Sequence, residues 1–453
     1  MGSLMVSLRN AAGSMGVFEK AMGVVQSNVT NASTPGYARQ RVEFQSQRIQ
    51  PELGLSGGVT WSGTLDSRSS FAEDNVRKRA TEFGAADEMA AQLKRVEPLF
   101  DITGDSGVPG ALTNLVEAFS ALTTAPNDNA MRQTAIDRAT QVADSFHALS
   151  NGLAEASHTV DRSLQDQVGT INSTLAKIVE INREFRSDAR AVSDAGLQAQ
   201  MATLQEDLSE SGDFTILKAE DGSATIFLGG QVMVAAGDKA YPLSVDASGA
   251  QTRLLDSHGQ DVTDKVAGGR ISSLLTLRNS TLPEHQSEID RMAQVLADTV
   301  NTALGGGVDR TGQPPTQNLF EYDAGLGAAR TLRTNALQPG DLALADSSAP
   351  GGNGVALKLA DLSQAKSIDG LTFSEFYGNR AASLGLQLQS AKESVDTKTQ
   401  LVAQARQLRD EVQQVDLNEE AILIIQYQRG YQASAKLVQT LNDMTEIALG
   451  LLR

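Results

Sequence analysis

Cysteine is absent from all 453 residues, which excludes a disulfide framework and any thiolate nucleophile or thiolate metal ligand. Tryptophan occurs once and aromatic residues make up only 4%, so thick globular cores are not expected. No run approaches 18 apolar residues, the minimum for a membrane-spanning helix. Basic residues are scarce relative to acidic ones, 38 against 55, for a formal net charge of −17. That balance argues against nucleic acid or an anionic membrane as a partner. The N-terminus lacks the basic, apolar, small-residue order of a secretory signal, because Arg9 and Lys20 interrupt an amphipathic segment. Export, if it occurs, is therefore expected without a cleaved signal peptide.

Catalytic and cofactor signatures are also missing. His147, His158, His258 and His285 lie in separate segments, none at metal-ligand spacing, and are expected on helix surfaces or in loops. Gly305-Gly306-Gly307 and Gly351-Gly352-Asn353-Gly354 are not followed by Gly-Lys-Ser/Thr, so neither is a phosphate loop. The Asp221-Gly222 and Asp246 turns lack the alternating acids and terminal glutamate of a calcium loop. No metal, no cofactor and no enzymatic activity are expected.

What the chain does have is helical periodicity, strongest at its ends. Leu423, Tyr427, Gly430, Ser434, Leu437, Leu441, Met444, Ala448 and Leu451 follow one another at alternating spacings of four and three, the signature of a supercoiling seam. Ile424, Tyr431, Val438, Thr445 and Leu452 sit one residue further on and widen it into a broad apolar face. Asp416 with Glu419 reads as a capping box that starts this helix. Leu4, Leu8, Ala11, Met15, Phe18, Met22, Val25 and Val29 repeat the device at the other end. Such seams serve equally as the core of a bundle or as surfaces that join neighbouring molecules. Glu419-Glu420 reads most simply as two acids complementing a helix N-terminus.

Between the ends the period changes several times. The first helix is expected to stop near Asn31, where turn formers crowd and Thr34 precedes a proline. An extended arm follows to Leu65, then helices over 71–101, 111–124, 129–151, 154–188 and around 197–208. Short β-rich runs separated by Glu220-Asp221-Gly222 and Gly229-Gly230 turns open a small β region at 212–270. A helix is expected over 282–304, an irregular stretch over 305–372, and two closing helices over 379–413 and 416–452. The fold class expected is mainly α with inserted β: long terminal helices paired in a coiled-coil-like bundle, and a discontinuous helical domain carrying one or more small β domains. The segments are 1–65 (axial helix and arm), 66–211 (helical, first part), 212–270 (β), 271–305 (helical return), 306–372 (irregular or β) and 373–453 (closing helices).

Two motifs carry a family resemblance. Asn28, Asn31, Thr34, Pro35, Gly36, Tyr37 and Arg39 form the pattern N-x-x-N-x-x-T-P-G-Y-x-R, which closely resembles the N-terminal signature of flagellar rod, hook and hook-associated proteins. Asn418, Glu419, Gln426, Tyr427 and Tyr431 resemble that superfamily's C-terminal signature. The interior, with Leu228-Gly229-Gly230, Gly307 to Gly312 and Leu371 to Tyr377, resembles the hook-associated FlgK family, although 321–372 is short for it.

The resemblance implies a non-enzymatic junction subunit between hook and filament, exported by the flagellar type III apparatus and located in the bacterial flagellum. It implies assembly with copies of itself in a ring of about eleven. The other partners it implies are the hook protein, a second hook-associated junction protein on the filament side, and an export chaperone on the C-terminal helix. The assembly seam would comprise Leu4, Leu8, Met15, Phe18, Met22, Val25, Leu423, Tyr427, Leu437, Leu441, Met444 and Leu451. The alternative within the superfamily is a hook or distal-rod subunit. From a different class, an extracellular enzyme or adhesin would need a pocket of convergent polar groups in the β region.

Overall fold

The computed structural model describes residues 2–50, 55–101 and 106–450. It is mainly helical, with small antiparallel sheets set into the helical order. Two compact units can be distinguished, each assembled from distant parts of the chain: 1–83, 171–242 and 398–453 make the first, and 84–170 and 243–397 the second.

In the first unit α1 (Gly2–Asn31) lies antiparallel to α11 (Leu417–Gly450). A hairpin of β1 (Gln40–Gln50) and β2 (Leu55–Asp66) packs on α1. The segment read as an extended arm is thus a paired hairpin. A bulge between Glu43 and Phe44 shifts its register. That shift lets Phe44 meet the Tyr427 ring edge-on at 6.0 Å. The start of α2 (Ser70–Val96), the end of α4 (Asn129–Ser187), α5 (Ala195–Ser211) and the end of α10 (Phe373–Gln413) complete its helices. A four-stranded sheet in the order β3 (Phe214–Lys218), β4 (Ala224–Leu228), β5 (Val232–Ala236), β6 (Lys239–Ala240) follows α5 directly.

The second unit contains α3 (Gly107–Thr124) and the hairpin β7 (Ser244–Asp246)–β8 (Arg253–Leu255). Next come α6 (Gly269–Thr276) and α7 (Leu282–Gly305), joined by a π-helical turn at Leu277–Thr281. The stretch expected to be irregular holds four two-residue strands and two short α-helices, α8 (Ala328–Thr331) and α9 (Gly354–Ala360). The core of the second unit is apolar: Phe119, Leu122, Phe146, Leu296, Val300, Leu344 and Val355 are all essentially inaccessible to solvent.

Two expectations are corrected. The helices expected over 129–151 and 154–188 are one unbroken helix, α4, of 59 residues. Asn151-Gly152 looks like a stop, but Gly152 is there for packing: a Cβ would come within 2.8 Å of a Leu99 methyl. The histidines are not all peripheral. His158 and His258 are exposed and His147 is half-buried, but His285 is buried on α7 with its ring 5.5 Å from that of Phe100.

One device recurs at four places where strand meets helix. A helical backbone spends its own donors and acceptors internally, so a strand beside it must be held by side chains. Asparagine carries both an amide donor and a carbonyl acceptor. Asn182 donates Nδ2 to the Ala224 carbonyl at 2.8 Å and accepts the Ala224 N–H at 2.7 Å. Asn28 treats Gln40 in the same way, at 2.9 Å for both bonds. Asn279 does so with Thr252, both at 2.8 Å, and Asn301 with Phe320 at 2.9 and 3.0 Å.

Loop carbonyls make the second unit dependent on Arg132 as well. Its guanidinium, on a residue only 1% exposed, donates to the carbonyls of Pro126 (2.6 Å), Pro339 (3.0 Å) and Leu342 (2.8 Å), tying two loops to the first turn of α4.

Asn182→Ala strips the Ala224 N–H and two carbonyls, those of Ala224 and Gly237, of their partner inside the first unit. We expect a loss of about 2–3 kcal/mol in unfolding free energy. Asn151→Ala, on the exposed face of the same helix, is expected to stay within about 0.5 kcal/mol. Denaturant titration of both variants checks the difference.

Candidate assembly interface

The two signatures converge on one buried polar cluster. Glu420, on the first turn of α11, is fully buried. Its Oε1 accepts from Arg39 Nε at 2.6 Å and its Oε2 from Asn28 Nδ2 at 3.1 Å. Arg39 Nη1 donates to the neighbouring Glu419 at 2.5 Å. The Asn28 carbonyl oxygen accepts from the Tyr37 hydroxyl at 3.0 Å and from the Gln40 N–H at 2.9 Å. The Arg39 N–H donates to the Gln413 carbonyl at 2.9 Å, so the same residue also holds the end of α10. Burial works against the Arg39 charge, but Glu419 and then Glu420 outweigh it and raise its pKa. Burial, and to a lesser degree Glu420, pushes the Tyr37 hydroxyl up.

Each signature residue around this cluster has a local task. Asn31 Nδ2 donates to the Ser27 carbonyl at 2.9 Å, and Thr34 Oγ1 donates to Asn31 Oδ1 at 3.3 Å, closing the end of α1. Pro35 stops the helix. Gly36 has φ +73°, and a Cβ there would lie 2.5 Å from the Ala199 carbonyl oxygen of α5, so no other residue fits. Tyr37 packs on Ala199 and Val415. Asp416 caps α11 by accepting from the Asn418 N–H at 2.8 Å, while the expected reciprocal partner Glu419 turns to Arg39. Glu420, read from sequence as a dipole-complementing surface acid, is the centre of the cluster. The signal available was the basic Arg39 in one signature and the acidic pair Glu419-Glu420 in the other.

Along the helix pair, Leu4, Leu8, Met15, Phe18 and Met22 are half-buried and Val25 is buried. The Phe18 ring lies against Gly430, where a Cβ would approach within 2.8 Å. It also lies 6.4 Å from the Tyr427 ring. Burial, then Glu420, raises the Tyr427 pKa. Leu423, Tyr431 and Leu441 are half-buried and Gln426 is exposed. Leu437 and Met444 are not turned toward α1: they are 53% and 54% exposed, and Val438 and Thr445 occupy the half-buried positions beside them. Ile422, Ile425 and Ile447 are exposed with them, at 65%, 52% and 64%. Leu451 and Leu452 lie outside the described residues.

Other chemistry is sparse among the described residues. No group of three His, Asp or Glu is placed to hold a metal, and no helix is long and apolar enough to cross a membrane. Asp221 and Asp246 cap their own turns by accepting from the N–H and hydroxyl of Ser223 and Ser248, which holds the Asp246 carboxyl down at about 2. A cavity of about 390 Å³ between α2, α5 and β3 carries charge. Four of those charges are spent on one another, in the pairs Arg68–Glu73 and Arg77–Asp74, and Asp66 and Lys218 also line it.

Removing one partner of a buried ion pair leaves the other uncompensated, at a cost of about 3–5 kcal/mol. Glu420→Ala is expected to lose that much locally. Hydrogen exchange should show lost protection in 417–430 and in 36–46 together. Loss confined to α11 alone would show that Arg39 and Asn28 do not depend on it.

Comparison with known proteins agrees with this geometry. Residues 93–320 match the family described as the flagellar hook-associated protein FlgK helical domain. Residues 406–451 match the flagellar basal body rod FlgEFG protein C-terminal family. Flagellar hook-associated protein 1 of Bacillus subtilis is 25% identical over 495 residues, covering 98% of this chain and 97% of that protein. Its namesake in Salmonella typhimurium is 21% identical over 324 residues, covering 67% of this chain and 57% of its own length. The solved structure of the flagellar hook junction protein FlgK from Burkholderia pseudomallei shares the fold, with a TM-score of 0.67 at 15% identity. It aligns over 74% of this chain and 99% of that one. With its terminal signatures locked together and half its length matched, the chain belongs to the flagellar hook-associated protein FlgK family.

Proposed function

We propose that this protein is a structural subunit of the bacterial flagellum that forms the junction between hook and filament, assembling through its terminal helices. The observation that carries the reading is the double-sided apolar character of α11. One side packs on α1, while Ile422, Ile425, Leu437, Met444 and Ile447 stay exposed on the other. Each such side chain contributes about 1.5–3 kcal/mol when a neighbour buries it. Copies of the chain arranged around an axis supply that neighbour.

The named relatives support the hook end as the place of assembly. On this reading the chain is exported to the flagellum without a cleaved signal and does no chemistry. It meets the hook protein on one side and a second hook-associated protein on the other, in a ring of about eleven copies. A chaperone that covers the exposed face of α11 during export would mask the same side chains. The match of 406–451 to the flagellar basal body rod FlgEFG protein C-terminal family keeps a hook or distal-rod subunit as the second reading. Deleting the gene separates the two: hooks that carry no filament support a junction subunit, and cells with no hook at all overturn it.

Leu437→Asp tests the surface itself. At 53% exposure the change is expected to cost the free protein under about 1 kcal/mol, and secretion should be normal. Incorporation should be lost, leaving bare hooks in electron micrographs and non-motile cells. Wild-type motility in that strain would refute the role assigned to this face.

A further inference from the structure

His285 sits on the first turns of α7 and is only 4% exposed. Both of its ring nitrogens are shielded from solvent and, among the described residues, neither has a hydrogen-bond partner. A buried polar group without a partner is costly, and native structures keep few of them. The ring is held as an aromatic body: Phe100 lies 5.5 Å from it, and Phe100 in turn lies 6.2 Å from Tyr377 on α10. The next residue on α7, Gln286, donates to Ser150 of α4 at 2.9 Å. The histidine therefore stands where α4, α7, α10 and the segment after α2 are fastened within the second unit.

We infer that His285 is an acid-sensitive lock on the second unit: as the neutral imidazole it fastens α7 to α10 and to Phe100, and as the imidazolium it cannot remain there. Protonation makes both nitrogens donors, and neither has an acceptor in place. The charged groups that face it do little to help. Glu284 on α7 attracts the added charge, but Glu288 is already engaged by Arg380 of α10. Arg380 itself is a cation stacked 4.9 Å over Phe376, with its Nε buried and unpartnered, and it repels a second cation. From α10 the other titratable group is Tyr377, whose hydroxyl is pushed up to about 12 by burial, with Asp101 adding to the effect, so it offers no charge near neutrality. From α4 the polar group nearest in the network is the uncharged Ser150, which is bonded to the neighbouring Gln286.

Burial, opposed by Glu284 and reinforced by Arg380, accordingly lowers the histidine pKa. For a base whose folded-state pKa lies below its unfolded value, the stabilisation is fully present above about 6.5. It is lost progressively as pH falls from there through the folded value.

The test uses the full chain with labelled histidine, followed by NMR from pH 8 to pH 4.5. The exposed and half-buried rings are assigned with His147→Gln, His158→Gln and His258→Gln, so the site itself is unaltered. The His285 ring is expected to titrate below about 6.5. Amide exchange in 282–292 and 373–384, corrected for intrinsic rate, is expected to rise about tenfold or more between pH 7.5 and pH 5. His285→Phe, which keeps the ring and removes the titration, should abolish that rise. A ring that titrates at or above the ordinary histidine value overturns the inference. So does an unchanged acid response in His285→Phe.

Discussion

Lateral hydrogen bonding is the scarce resource in this molecule. Its helices are long, and a helix offers a strand no backbone partners except at its ends. Four of the five sheets among the described residues are nevertheless anchored to a helix, through an asparagine whose one amide group supplies both a donor and an acceptor to a single residue in or beside the strand. Asn28, Asn182, Asn279 and Asn301 each do this. The π-helical turn before α7 has a reason in the same terms. It brings Asn279 to Thr252, and Arg278 beside it to the Ala250 carbonyl at 3.1 Å, so one irregular turn fixes the β7–β8 hairpin twice.

Asn28 differs from the other three because its amide also reaches Glu420, 392 residues away. A buried carboxylate is tolerated only when paired and hydrogen-bonded. The residues that satisfy Glu420 come from the far end of the chain. The hairpin, the start of α11 and the end of α10 are therefore mutually conditional, since Arg39 serves all three. Neither terminus has a complete hydrogen-bond inventory until the other is present. Contacts of such separation form against a large loop-closure entropy, which suits ends that order together and late.

Much of this was legible in the sequence. The four-three spacing gave the terminal helices, the switch to short β-rich runs at Gly212 gave the sheet, and the signatures gave the residues that surround Glu420. The illegible parts share a physical cause: they depend on what lies across an interface. Gly152 reads as a stop unless Leu99 is known to press on it. The irregular polarity of 37–65 reads as an arm because a hairpin lying on α1 buries residues by contact as well as by alternation. His285 and Glu420 are polar residues that the fold buries, and no local pattern announces burial of a charge or an imidazole.

The phase of the α11 seam is the most instructive miss, because the sequence offered two stripes one residue apart and gave no reason to choose. Both are real. Tyr427, Ser434 and Leu441 share the side facing α1 with Val438 and Thr445, while Leu437 and Met444 fall just outside it. A helix that needed only one partner would carry one stripe and a polar back, as amphipathic surface helices do. A helix apolar on a second side is built for a second partner. The two stripes are thus halves of one broad side facing α1, and the exposed apolar side chains Ile422, Ile425 and Ile447 belong to neither, which is why periodicity alone does not find them.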